Sequence, residues 1–113
     1  VHANGHFTLG ENIADHGGLR IAYTALHNTF DGVEPAPIDG FTADQRFYLA
    51  YAALWAGNIR DAEILRLTKI DPHSLGRWRV NAALRNMETF FKAFDIKEGD
   101  AMYMAPEDRV IIW

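Results

Sequence analysis

The chain contains no cysteine. That absence excludes disulfides, thiol catalysis and cysteine-ligated zinc, but it leaves the compartment open, because a large secreted protein can do without disulfides. Long apolar runs are missing too. The longest, Tyr48 to Gly57, falls well short of the roughly 20 residues a membrane-spanning helix needs. Basic clustering is absent: 11 Lys and Arg are scattered among 15 Asp and Glu, for a formal net charge of −4. Nothing forms the stripe that nucleic acid or an anionic membrane would require. No signal-peptide pattern opens the chain, since Val1-His2-Ala3-Asn4-Gly5 is polar and turn-like, so any export signal is expected upstream. Val1 is not an initiator methionine, which fits a chain cut from something longer. Also missing is His-Glu-x-x-His, the helical motif that supplies two zinc-binding imidazoles and a general base.

What is present is ordinary in bulk. At 113 residues, 49% hydrophobic and 23% charged, the composition is that of a single folded unit rather than a disordered one. No internal repeat or low-complexity segment interrupts it.

Apolar spacing at Ile13, Leu19, Ala22, Tyr23 and Leu26 predicts a helix from about Glu11 to Phe30. Gly17-Gly18 inside it costs roughly 1 kcal/mol per glycine relative to alanine, and would let another element approach the backbone. The Pro- and Gly-rich stretch Asp31 to Gly40 predicts an exposed loop. Thr42-Ala43-Asp44-Gln45 has the form of a capping box, opening a helix that carries Phe47, Ala50, Tyr51, Leu54 and Trp55 and stops near Gly57. A shorter helix is expected from about Arg60 to Leu67. Asp71-Pro72-His73-Ser74-Leu75-Gly76 then breaks regular structure. Asn86 is placed to cap a helix bearing Met87, Phe90, Phe91 and Phe94, and Val110-Ile111-Ile112-Trp113 is a short β-prone run. The expected class is mainly α, with short β or extended segments.

Two clusters could carry chemistry. In Gly10-Glu11-Asn12-Ile13-Ala14-Asp15 the carboxylates stand four apart, on one helix face. Such a pair suits a zinc site, where one carboxylate binds the metal and the other holds a ligating imidazole. It equally suits the first turn of a helix, where acids offset the dipole. The second cluster is Asp71, His73, Arg77 and Arg79. An aspartate two residues before a histidine can accept its ring N–H, fix its tautomer and favour the imidazolium. Beside an arginine, that histidine could stabilise an oxyanion. A loop histidine among solvated arginines is the plainer alternative. His2, His6, His16 and His27 are less promising: Ala-Asn-Gly, a turn rather than a helix face, separates His2 from His6, and His16 adjoins Asp15 but projects about 100° away on a helix. Glu11, Asp15 and His73 alone lack the His-x-x-x-His pair of a self-sufficient zinc site.

Both clusters, in this order and at this distance, resemble the C-terminal portion of the neprilysin-like zinc endopeptidases. These are the M13 peptidases, which include neprilysin, endothelin-converting enzyme and PepO-type bacterial enzymes. The likeness runs through Phe7 to Asp15, Gly17-Gly18-Leu19, Phe41 to Phe47, Asp71-Pro72-His73-Ser74, Arg79-Val80-Asn81, Leu84-x-Asn86, and finally Met102-Tyr103 with Trp113. Seven ordered blocks are specific where a lone Glu-Asn-x-x-Asp would not be.

The resemblance implies a fold, the helical C-terminal part (residues 1–113) of a gluzincin-type catalytic domain, and a role for each residue. Glu11 matches the glutamate zinc ligand, and Asp15 the aspartate that orients one zinc-binding histidine. His73 matches the histidine that stabilises the tetrahedral intermediate, Asp71 the acid that supports it, and Arg79 the arginine that binds a substrate backbone carbonyl. It further implies Zn2+ as cofactor, peptides as substrates, and a partner segment carrying His-Glu-x-x-His and the substrate-enclosing N-terminal region. An arginine places substrate through paired hydrogen bonds whose geometry a lysine does not reproduce. Ala82, where a glycine is common after Arg-Val-Asn, is a minor departure. A bacterial exported or envelope-anchored enzyme is the implied setting, with a cytoplasmic one as alternative. The chain is then either part of a zinc endopeptidase, inactive alone and prone to self-association through unpartnered apolar surface, or a non-catalytic helical interaction module of the same fold.

Overall fold

The computed structural model describes residues 2–112. Among these described residues five α-helices follow one another: α1 (Gly5–Asn28), α2 (Ala43–Leu54), α3 (Asp61–Ile70), α4 (Gly76–Leu84) and α5 (Glu88–Phe94), with a 3-10 turn at Pro106–Asp108. The only bridge among the described residues is Ile38 with Phe41, so the chain is mainly α as its composition and periodicity predict. No helix among those residues is long and apolar enough to cross a membrane.

α1 begins six residues earlier than its apolar spacing predicts, because the Asn4 side chain accepts the Phe7 N–H and caps the helix there. The polar opening residues are therefore a helix start. This moves Glu11 and Asp15 into the helix interior, and α1 has no acidic residue in its first turn. A dipole role for the two acids falls away, since that effect is confined to the terminal turn.

α2 opens with the expected capping box: Thr42 Oγ1 accepts the Gln45 N–H and Gln45 Oε1 accepts the Thr42 N–H. Gln45 also donates to the Ala93 carbonyl, tying the start of α2 to the end of α5. α3 runs three residues beyond the expected stop.

α4 was not marked by apolar spacing at all. Gly76, expected as a turn residue, is its first residue, and a Cβ there would lie 2.9 Å from the Trp55 carbonyl oxygen. The glycine serves a close approach between the end of α2 and the start of α4. Asn86 does not cap α5. Its amide donates to the Ala82 carbonyl and its oxygen accepts the Val110 N–H, so it joins α4 to the tail. That tail forms no strand over residues 109–112, and Trp113 lies outside the described residues.

α2 packs on α5, and α1 on α4. The core between them consists of Leu19, Tyr48, Ala83, Leu84, Met87, Phe90 and Phe91. Tyr48 stacks edge-on against Phe47 and Phe90, and its hydroxyl pairs with Thr89. Tyr23 and His27 of α1 both reach Asp44 at the start of α2, at 2.8 and 2.6 Å. α3 buries no residue. Of the adjacent glycines in the middle of α1, Gly17 is buried while Gly18 faces open space beside an apolar groove lined by Ala14, Ala22, Phe47, Ala50 and Leu54.

Candidate active site

α1 supplies Glu11 and Asp15 one turn apart, and two distant segments come to meet them. The loop between α3 and α4 brings Asp71 and His73; α4 brings Arg79. His73 lies between two carboxylates. Its Nδ1 is 2.7 Å from Asp71 Oδ1 and its Nε2 is 3.2 Å from Glu11 Oε2. The same Asp71 oxygen accepts the His73 backbone N–H at 3.0 Å. These bonds from His73, the backbone one foremost, hold the Asp71 carboxyl below its usual range. An ionised Asp71 accepting at Nδ1 fixes the ring so that Nε2 faces Glu11.

Asp15 and Arg79 form a two-pronged pair. Arg79 Nε donates to Asp15 Oδ2 at 2.7 Å and its second nitrogen to Oδ1 at 2.8 Å. The side chains are 15% and 12% exposed, so this is a mostly desolvated ion pair. The bond to Asp15 raises the already high Arg79 value further. The guanidinium also lies 3.9 Å from the centroid of the Trp55 ring. Beneath it, Tyr51 donates its hydroxyl to the Arg79 carbonyl at 3.1 Å. Burial first, then the Asp15 charge, pushes Tyr51 up to about 12.

Glu11, Asp15, Asp71, His73 and Arg79 are thus drawn into one patch. Arg77 is not: it turns outward over Trp78, 5.5 Å from the ring centroid, because residues two apart on a helix diverge. His16 is partly buried, and burial lowers its value; the other histidines stand outside the patch. Sequence spacing did not mark Trp55 and Tyr51 as site residues, since both fit the apolar face of α2. Nor did it mark Asn12 and Ser74, whose link spans 62 positions.

Among the described residues, no three His, Cys, Asp or Glu groups are arranged to hold a metal ion. Glu11 is nevertheless suited to be one ligand of a shared site, with a carboxylate side chain 43% exposed and paired with an imidazole rather than an arginine. His73 is flanked by two clefts. One, of about 260 Å³, lies toward the start of α1 and Trp78; the other, of about 330 Å³, lies toward Trp55 and Arg79. Chemically, the patch offers a carboxylate donor, an oriented imidazole and an arginine fixed for bidentate work.

Comparison with known proteins places these residues in a wider setting. A model of Peptidase family M13 matches residues 1–110. Human neprilysin is 38% identical over 99% of this chain, and Neprilysin-21 of Caenorhabditis elegans is 36% identical over all of it. The chain spans only 15% of the length of each. Among solved structures, the crystal structure of the Mycobacterium tuberculosis zinc metalloprotease Zmp1 in complex with an inhibitor superposes with a TM-score of 0.96 at 43% identity. It is matched over 99% of this chain and 17% of its own.

Proposed function

The chain belongs to peptidase family M13, and from that premise we propose that it is the C-terminal portion of a zinc-dependent endopeptidase catalytic domain, covering residues 1–113. The single observation that carries this is the convergence of Glu11, Asp15, His73 and Arg79 from three separate segments onto one patch. Packing alone has no need of a half-exposed Glu11–His73–Asp71 chain beside a largely desolvated Asp15–Arg79 pair.

Glu11 is the zinc ligand contributed by this chain, and two histidines of a His-Glu-x-x-His segment elsewhere in the parent protein complete the set. Zinc, when bound, supplies a Lewis acid for the scissile carbonyl and activates water. Asp15 orients one of those histidines while holding Arg79. His73, aligned by Asp71, donates from Nε2 to the oxyanion that develops at the cleaved carbonyl. Arg79, already braced by Asp15 and the Trp55 face, presents its remaining N–H groups to a backbone carbonyl of a peptide substrate.

The shape is consistent with a part of something larger. The radius of gyration is 15.5 Å, against about 13 Å for a compact domain of this length. Leu54 and Ile21 stand 76% and 69% exposed. The chain alone is accordingly proposed to be inactive, to bind zinc weakly, and to self-associate through this surface. The family's known members include one named membrane metallo-endopeptidase-like, from mouse and 40% identical, which supports an exported or envelope-anchored parent.

Native mass spectrometry of the preparation is the test. A zinc-free species of 12.8 kDa or its dimer, without peptidase activity, is the expected result for the chain alone. A tight one-to-one zinc complex of this chain alone would overturn the division of ligands. Zinc and peptidase activity should appear together only when a segment bearing His-Glu-x-x-His is present.

A further inference from the structure

Resting on that reading of the site, we propose that Asn12 and Ser74 are a positioning pair that sets His73 against Glu11. Asn12 follows Glu11 on α1, and Ser74 follows His73 in the loop. Ser74 Oγ donates to Asn12 Oδ1 at 2.8 Å, so the residues flanking the two reactive groups are bonded to each other. Asn12 is held in turn: its amide donates to Thr8 Oγ1 at 3.3 Å, and Thr8 Oγ1 donates to the Asn4 carbonyl at 3.4 Å. Asn4, Thr8 and Asn12 are spaced by four along one face of α1.

Thr8 is the buried polar side chain among the described residues, 7% exposed. A buried hydroxyl requires partners, and this one is satisfied within the relay that ends on the loop. No backbone hydrogen bond among the described residues ties residues 71–75 to α1. Among the described residues the loop's backbone bonds to near neighbours in the chain: Asp71 to Leu67, His73 to the Asp71 side chain, and Trp78 and Arg79 to Leu75. The Ser74–Asn12 bond therefore fixes the height of His73 over Glu11, while Asp71 fixes the rotation of its ring. Asn is the residue that can do this at position 12, because its amide offers an acceptor to Ser74 and a donor to Thr8 at once.

The test uses the full-length zinc-loaded enzyme with a peptide substrate. Ser74→Ala and Asn12→Ala should each lower kcat roughly tenfold, because a small misplacement of a catalytic group is felt in the chemical step. KM and zinc content should not change. The double variant should be no slower than the slower single one, as expected for two ends of one bond. Ser74→Thr, which keeps the hydroxyl, should return kcat to within about twofold of the parent. In the zinc-free full-length protein, the backbone amides of Asp71, His73, Ser74 and Leu75 should exchange faster in both alanine variants. Unchanged kcat in both, a loss that Ser74→Thr fails to relieve, or a rise in KM alone overturns the pairing. If the unsubstituted enzyme cleaves no peptide, the functional reading fails, and the exchange arm alone decides the pair: unaltered exchange overturns it.

Discussion

Around Phe90 and Phe91 the molecule is held by rings; around His73 it is held by charges and hydroxyls. In the first region Tyr48, Leu84, Met87, Phe90 and Phe91 are each no more than 8% exposed and touch across α2, α4 and α5. In the second, His73 and Glu11 are 40% and 43% exposed, and the contacts are polar pairs between segments far apart in the chain. Apolar packing is non-directional and proportional to area, so it fixes where helices lie. Polar pairing is directional, so it fixes how individual groups point. The two regions should therefore respond differently to substitution.

The largest effect is expected in the ring-packed region. Phe90→Ala should cost about 3–5 kcal/mol by opening a cavity, read as a fall in the urea midpoint, whereas Ile21→Ala on the open face of α1 should stay within about 0.5 kcal/mol. Equal losses at both sites would erase the contrast. Next comes the largely desolvated Asp15–Arg79 ion pair. Asp15→Ala leaves Arg79 desolvated and unpaired, at a cost of about 3 kcal/mol, and the doubly substituted Asp15→Ala, Arg79→Met chain should recover much of it.

A third, smaller effect is set by pH. Burial pushes both Tyr48 and Tyr51 up to about 12 from an ordinary 10.0. A raised value means the fold prefers the neutral phenol. Their contribution to stability is then complete below pH 10.0 and lost as pH rises toward 12. Tyr48→Phe and Tyr51→Phe should each flatten the alkaline limb of a stability–pH curve; an unchanged limb in both would show that neither phenol is protected. The smallest effect on stability is expected at Glu11→Gln, within about 0.5 kcal/mol. In the full-length enzyme the same substitution should remove zinc, measured by metal analysis, so stability and metal content part company there.

How far this was legible beforehand follows the same division. The capping box at Thr42 and Gln45, the helical class and the break at residues 71–75 are local features, governed by neighbours within four positions, and they were readable. The spacing of Glu11 and Asp15 was readable as well, but its meaning was open until Asn4 was seen to start the helix. α4 was hidden because Arg77, Trp78 and Arg79 interrupt any apolar stripe; its burial is confined to Ala83 and Leu84 at the far end. The Asp15–Arg79 and Asn12–Ser74 pairs join residues 64 and 62 positions apart. No local rule reaches that far: the cluster with Asp71 and His73 left Arg79 open between an oxyanion role and a solvated charge, and the resemblance to a family singled it out for substrate binding. Asn86 misled for the opposite reason: it has the right chemistry for a cap, but the Val110 backbone claimed its oxygen.

Gly76 has a consequence for sequence change. The wall it meets is the Trp55 carbonyl oxygen, 2.9 Å from where a Cβ would stand, and a backbone oxygen cannot rotate aside as a side chain can. Every other amino acid carries that carbon, so in a saturation library selected for folding, position 76 should return glycine almost alone. Its exposed neighbour Arg77 should accept most replacements. Tolerance would thus change abruptly across a single peptide bond, at the point where the loop that carries His73 turns into α4.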